Sequence, residues 1–306
     1  MLSLVLKRIV WAIPVLFIVA TISFGLMRIV PGGPFDEEKS LPPEIVANIK
    51  AKYNLDKPIP EQYFLYMSRL VKGDLGVSYK YVHRTVNDIL ADAFPVSLQL
   101  GILGLVLAIG IGVPLGTIAA VNRGRKLDFL AMLVATVGIS VPGFVTGALL
   151  IFVFGLWLKL APVALWESFR HMILPAFTLS LSPAAYLARL TRASVLEVME
   201  KDYVRTARSK GLSSAKTIIK HVLRNALVPV LTVLGPLTAI IITGSFVVEY
   251  MYAIPGMGRF FITAVSNRDY DLIMATTLVF AVLLVIANTI VDVLYTVLDP
   301  RIQVKN

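Results

Sequence analysis

Cysteine is absent from this chain, histidine occurs three times, and only 16% of its 306 residues carry a charge. Without cysteine there are no disulfides and no thiolate metal sites. Three histidines with no clustered carboxylates offer a catalytic metal no ligand set, so no metal site is expected. The phosphate-cradling loop G-x-x-x-x-G-K-[ST] is missing, as are H-E-x-x-H and G-x-S-x-G. The chain is therefore expected neither to hydrolyse ATP itself nor to act as an intramembrane hydrolase, and to bind no cofactor of its own.

Charge is scarcest inside the apolar runs, where Asp292 is essentially the only ionisable residue. Ion-coupled carriers usually place such groups at mid-membrane depth. Asp292 lies toward one end of the last run, where pairing with basic groups is a simpler expectation than proton relay. A self-sufficient ion-coupled carrier is the rival from another class, and a structural membrane scaffold is a third.

What the chain has in excess is apolar surface: 57% of its residues are hydrophobic, where soluble domains hold about half. Six runs reach the roughly 20 residues that a bilayer crossing needs. They lie at Ile9–Val30, Val96–Val121, Phe129–Leu158, Met172–Leu190, Leu227–Val248 and Leu272–Leu298. Lipid leaves a non-barrel chain only helices with which to satisfy its backbone, so an all-α integral membrane protein of six spans is expected. The first run is too long for a signal-peptide core and lacks a small-x-small cleavage site, so it reads as a retained span.

Net charge is +10, and its placement sets orientation. Lys7, Arg8, the Arg123–Lys126 turn, the 191–226 loop, Arg301 and Lys305 fall on one side, which the positive-inside rule makes cytosolic. Both termini are expected there. The division is then 1–30 as the first transmembrane helix, 31–93 as an extracytoplasmic region, 94–298 as a membrane core of five further spans and 299–306 as a cytosolic tail.

The external region opens at Pro31-Gly-Gly-Pro34. Leu41-Pro-Pro43 leads into a short helix over Glu44–Tyr53, a second helix covers Ile59–Leu70, and Gly73-Asp-Leu-Gly76 makes a turn. Whether this region packs on its own protein or docks a partner stays open. Pro114, Pro142, Pro175, Pro183, Pro229 and Pro236 lie in or near the spans and predict kinks. Gly112-x-x-x-Gly116 predicts close helix packing. Hydroxyls at Thr136, Ser140, Thr146, Ser180, Thr243 and Ser245 could line a weakly polar path, although such groups more often bond to their own helix.

The basic loop carries the strongest signal. From Tyr203, the residues Val204, Ala207 and Gly211 recur at helical spacing as a stripe of small residues on which another surface can approach. Arg205, Arg208 and Ser209 lie elsewhere around the turn. Gly211 suits the left-handed end of a helix, and Ser213 or Ser214 can cap the next. There Ile218, Ile219, Val222, Leu223 and Ala226 form an apolar face opposite Lys216, Lys220 and Arg224. A basic loop lying on anionic lipid is the plainer alternative. A glycine-hinged helix pair exceeds what that requires and points to docking. A nucleic-acid helix-turn-helix does not fit a short loop tied to membrane at both ends.

This loop resembles that of the integral-membrane permeases of ATP-binding-cassette importers. Their motif has the form E-A-A-x-x-x-G, nine residues, then I-x-L-P. Arg205-Thr206-Ala207 with Gly211, then His221-x-Leu223-Arg224, occupy those places. Arginine for the motif's glutamate and final proline departs from the sugar and ion branches. It is the form of the peptide and nickel branch, R-T-A-R-x-K-G-L followed by H-x-L-R-N-A-L-x-P, which takes in Arg208, Lys210, Leu212 and Asn225 as well. Ile13-Pro-Val-Leu-Phe17, Arg28, Leu55-Asp-x-Pro58, Gln62-Tyr63, Gly73-Asp-Leu-Gly76 and Ser78 resemble that branch too. So do Glu249, Ile254-Pro255-Gly256-Met-Gly258, Asn267-Arg268-Asp269-Tyr270 and Leu298-Asp-Pro300. The 41–53 stretch is most like the oligopeptide members.

The resemblance implies a type I importer permease fold in a bacterial cytoplasmic membrane. It implies a second, homologous permease, two P-loop ATPases that carry ATP and Mg, and an extracytoplasmic peptide-binding protein as partners. Tyr203–Leu212 would be the coupling helix seated in an ATPase. The cargo implied is oligopeptide, with dipeptides, nickel or an opine-like compound as alternatives for the same machine.

Overall fold

The computed structural model describes residues 2–30, 43–81, 83–243 and 246–298. The Pro31–Pro34 and Leu41–Pro42 segments, Ser245 and the 299–306 tail with Arg301 and Lys305 lie outside them. The described chain is almost wholly helical, with one isolated β-bridge between Val77 and Thr85. Its helices are α1 (Leu2–Ile29), α2 (Pro43–Lys52), α3 (Ile59–Val71), α4 (Val86–Val121), α5 (Lys126–Ser140), α6 (Gly143–Trp157) and α7 (Phe169–Met199). The short α8 (Asp202–Ser209) is followed by α9, formed of Ser214–Thr217, a π-helical Ile218–Val222 and Leu223–Ala226. Then come α10 (Val228–Thr243), α11 (Phe246–Met251), α12 (Met257–Ser266) and α13 (Tyr270–Leu298).

Among the described residues five stretches are long and apolar enough to cross a membrane: Val5–Ile29, Val86–Val121, Phe169–Met199, Val228–Met251 and Tyr270–Val293. The sixth differs from the expected single run Phe129–Leu158. It is broken into α5 and α6, which meet at 105°. Proline disfavours helical backbone in the residue before it, and Val141 is extended at φ −85°, ψ 124° just ahead of Pro142. Hydropathy registers both halves as one run and is blind to the bend.

Two other boundaries move for local reasons. α4 begins ten residues before the expected Val96, because Thr85 and Asp88 form a reciprocal capping box. The Asp88 amide donates to Thr85 Oγ1 at 3.1 Å, and the Thr85 amide donates to the Asp88 carboxylate at 3.0 Å, which fixes the start. α7 continues past Leu190 to Met199, because Ala193 to Met199 holds strong helix formers and Thr191, Ser194 and Val195 face inward. The first nine residues of the expected 191–226 loop are therefore helix.

α4 and α7 form the centre. Gly104, Ala108, Gly112 and Gly116 recur every four residues on α4 and face α7. A Cβ on Gly112 would lie 2.5 Å from the Ala184 carbonyl oxygen, and one on Gly116 would lie 2.3 Å from that of Ala188. Lipid provides no hydrophobic drive between helices, so close backbone approach supplies the association energy. Gly101 similarly admits Ile242 of α10, 2.6 Å from where its Cβ would be. α1 packs on α13 and is pinned at both ends. Arg8 pairs with Asp292, the partner type expected for that aspartate. Arg28 donates to Gln62 Oε1 at 2.7 Å and lies 4.8 Å and 5.0 Å from the ring centroids of Phe24 and Tyr270.

Gly112→Ala should destabilise the protein by about 1–3 kcal/mol, as overpacking of a tight contact does. Gly110, whose Cβ would meet nothing within 4 Å, is the control. Thermal melting in detergent should show a fall for Gly112→Ala and none for Gly110→Ala; equal melting would contradict the close packing.

Candidate functional site

The basic loop folds as two helices joined at a glycine, as the spacing predicts. α8 ends in a Schellman arrangement, with the Gly211 amide donating to the Arg208 carbonyl at 2.9 Å and the Leu212 amide to that of Ala207 at 3.4 Å. Gly211 takes φ +77°, which a residue without Cβ adopts at no steric cost. Ser213 caps α9, its Oγ accepting from the Lys216 amide at 3.4 Å. Asn225 Nδ2 donates to the Tyr203 hydroxyl at 2.8 Å, tying the end of α9 back to the start of α8.

The two faces of α8 are sharply different. Val204 is buried against Ala120 of α4, Val195 of α7, and Val222 and Ala226 of α9, and Ala207 is buried as well. Arg205, Thr206, Arg208, Ser209, Lys210 and Gly211 are exposed, and Tyr203 is half-exposed. The small stripe thus seats α8 on its own bundle. This corrects the expectation that Val204 and Ala207 receive an outside surface: the outward face is the polar, cationic one. Leu212, His221 and Leu223 are partly buried, while Arg224 and Asn225 are exposed. Ile219 departs from its expected place in the apolar face and is 68% exposed. The wider π-helical turn shifts the register, and Thr217 takes the buried position instead.

At the opposite end of the bundle the remaining motif residues form a buried polar lattice. Glu249 is fully buried. It accepts from Ser97 Oγ at 2.7 Å and from the Gly258 amide at 2.7 Å, and the Met257 amide donates to Ser97 Oγ at 2.8 Å. Glycine at 256 is required here, since a Cβ would stand 2.3 Å from Glu249 Oε2. Pro255 lies in the turn between α11 and α12. Arg268 sits at φ +53° after α12, in the left-handed position that non-glycine residues adopt only at a cost. Asp269 follows, accepting from Ser78 Oγ at 2.5 Å and from the Tyr79 amide at 3.2 Å. Tyr270 is buried and its ring meets that of Tyr79 at 6.2 Å. Asp271 joins them, paired with Arg69 of α3 at 3.5 Å. Arg69 thereby fastens α3 to the last span, and α2 and α3 form close to the expected positions.

Between these ends a groove of about 680 Å³ opens among α5, α7 and α10. Pro183 and Pro236 line it, with Ser182, Tyr186 and Thr232 as its polar groups. The hydroxyls singled out from sequence are elsewhere. Thr136, Thr146 and Ser180 donate to carbonyls of their own helices at 2.8, 2.9 and 2.9 Å. The side chain of Thr243 lies outside the described residues. Tyr186 was missed because nothing in its local spacing marks it; Pro183 and Pro236, which line the same groove, were the usable signal.

Burial pushes the Asp269 carboxyl above its ordinary range, opposed by the Ser78 hydroxyl and neighbouring amides. A raised folded-state pKa means that this group's contribution to stability is full below the unfolded value, about 3.9. It is lost as pH rises through the folded value. The melting temperature of the wild type relative to Asp269→Asn should therefore fall as pH is raised from about 4 toward 7. A constant difference over that range would contradict the buried carboxylate.

The chain matches known proteins over nearly its whole length. Residues 112–304 match the family model for the binding-protein-dependent transport system inner membrane component, and residues 1–101 match the model of its N-terminal part. The chain is 44% identical over 305 residues to the oligopeptide transport system permease protein OppB of Haemophilus influenzae, covering 99% of this chain and 100% of that protein. It is 47% identical over 294 residues to the dipeptide transport system permease protein DppB of Bacillus subtilis, covering 96% of each. Among solved structures, the inward-facing MetNI methionine ABC transporter superposes with a TM-score of 0.57 at 17% identity, over 69% of this chain and 96% of that one. An amino acid ABC transporter with histidines gives 0.53 at 16% identity, over 67% and 92%. Those two likenesses concern the fold, the type I importer permease architecture. With both family models matched and full-length relatives well above 30% identity, this multi-pass chain belongs to the inner membrane components of binding-protein-dependent transport systems.

Proposed function

We propose that the chain is one permease subunit of an ATP-driven importer of short peptides, energised by ATPases that dock on α8. The observation that carries this reading is the seating of α8. Val204 is locked against the ends of α4 and α7 and against α9, while Arg205 and Arg208, with Lys210 just beyond the helix, face outward, unburied by the chain itself. A helix held so firmly transmits displacement, and guanidinium groups suit bidentate contact with carboxylates of a partner. Arg8, Arg123, Arg125, Lys126 and Arg189 lie toward the same end, which supports a cytosolic placement for α8 and both termini.

ATP hydrolysis would then occur on two P-loop subunits beneath the membrane. A second, homologous permease would complete the pathway, and an extracytoplasmic binding protein would deliver cargo. The names of the oligopeptide and dipeptide relatives support a peptide cargo. The groove lining fits that choice, for it offers hydroxyls and no charge, so varied side chains could pass without being held. ATP-driven closure of the ATPase pair would bias a two-state bundle between inward-open and outward-open forms.

Gentle affinity purification of the tagged chain from native membranes, followed by mass spectrometry, tests the assembly. A second permease, two P-loop ATPases and a peptide-loaded binding protein are expected. Recovery of the chain alone, active in liposomes without ATP, would overturn the reading in favour of an ion-coupled carrier. Arg205→Glu with Arg208→Glu should cost about 2 kcal/mol of docking energy if the pair is an interface hot spot, or roughly thirtyfold in affinity. Full retention of the ATPases in a detergent wash would favour a lipid-facing loop. At Gly211, asparagine tolerates positive φ and tryptophan adds bulk to an open surface. Uptake should survive Gly211→Asn and fail with Gly211→Trp; equal uptake would remove Gly211 from the docking surface.

A further inference from the structure

Asp128 and Arg192 form a buried, two-pronged ion pair that none of the motifs includes. Arg192 Nε donates to Asp128 Oδ1 at 2.6 Å and Nη2 donates to Oδ2 at 2.8 Å. Oδ2 also accepts from the Gly124 amide at 3.0 Å, within the tight turn between α4 and α5. The Asp128 side chain is only 7% exposed and that of Arg192 is 28% exposed. Nearby, Arg123 of the same turn pairs with Glu200 beyond α7 at 3.1 Å.

Apart from this pair, α5 is held to the bundle by an apolar seam of small residues, in which its Ala135 packs against Ala185 and Ala188 of α7. Its buried residues are Asp128, Ala131 and Ala135, two of them small, and its Phe129, Leu130, Leu133, Val134 and Val137 are exposed. Among the described residues, Asp128–Arg192 is the one polar side-chain link between α5 and α7. Arg192 lies one turn before Val195, which packs on Val204 of α8. Ile139, near the far end of α5, lines the groove opposite Pro183 and Tyr186. The pair therefore stands midway on a mechanical route from α8 through α7 to the groove wall.

We propose that Asp128 and Arg192 are positioning residues that clamp α5 to α7, so that displacement of the docking helix moves the groove wall carried by α5. This rests on the importer reading above. Without the clamp, only the small-residue seam would carry the motion of α7 to α5, and ATP turnover would reshape the groove less. The two partners are not equivalent. Loss of Arg192 leaves a carboxylate buried with one amide donor, whereas loss of charge at Asp128 leaves a guanidinium able to reach water. Asp128→Asn, which keeps an acceptor for Gly124, is accordingly the gentler variant. Arg192→Lys keeps the charge without the two-pronged geometry.

The test uses the full complex in proteoliposomes with wild-type chain, Asp128→Asn and Arg192→Lys, measuring peptide uptake, ATP hydrolysis and melting temperature together. Asp128→Asn is expected to lower uptake about tenfold while hydrolysis stays within about twofold, a loss in the ordinary range of coupling between sites. Arg192→Lys should fall between that variant and wild type, and neither should lower the yield of assembled complex. Unchanged uptake would overturn the clamp. So would a fall in uptake that only tracks hydrolysis or the amount of folded complex, since the pair would then be structural. Absence of ATP-dependent uptake by the wild-type complex would overturn the importer reading itself, and the clamp with it.

Discussion

Two helices must approach each other at backbone distance in a medium that gives apolar side chains no reason to associate. The small-residue ladder of α4 meets this constraint by placing bare backbone against the Ala184 and Ala188 carbonyls of α7. Everything else hangs from that pair. Their shared end presents Ala120 and Val195 as the seat for α8. At the other end, α4 supplies Ser97 to the Glu249 lattice. A change in spacing between α4 and α7 would shift both ends together.

The polar groups follow the same economy. Few charges enter the bundle, and those that do are paired or hydrogen-bonded. Arg8 holds Asp292, Arg192 holds Asp128, and Glu249 is met by hydroxyl and amide donors. Unpaired charge at such depth is costly, so each of these contacts specifies where one helix lies against another. The unburied cations of α8 are the contrast: they are free to meet a partner because no part of the described chain covers them. In the proposed cycle the bundle transmits and the loop receives.

Much of this was legible in the amino-acid order because it depends on local chemistry. Run lengths marked the spans, glycine and serine marked the hinge and cap of the basic loop, and Pro43 marked the start of α2. What was not legible depended on partners distant in sequence. The bend at Val141-Pro142 was hidden because both halves are equally apolar. Periodicity could identify the stripe of Val204 and Ala207 but not which surface it faces, and the chain itself fills it. The exposure of Ile219 follows from a π-helical turn that no spacing rule anticipates. Asp128 and Arg192 are 64 positions apart, and neither has a neighbour that advertises the other. The motif glycines Gly256 and Gly258 could be recognised by resemblance, yet their reason, the Glu249 carboxylate beside them, needed the fold.

The central claim is that the exposed face of α8 meets an ATPase, and the lack of cysteine makes a direct measurement clean. Arg208→Cys would provide a single thiol on that face, to be labelled with a short photoactivatable maleimide in native membranes and illuminated with and without ATP. The account predicts an adduct of this chain with a P-loop ATPase, altered in yield by ATP. Adducts with lipid alone, in both conditions, would contradict it.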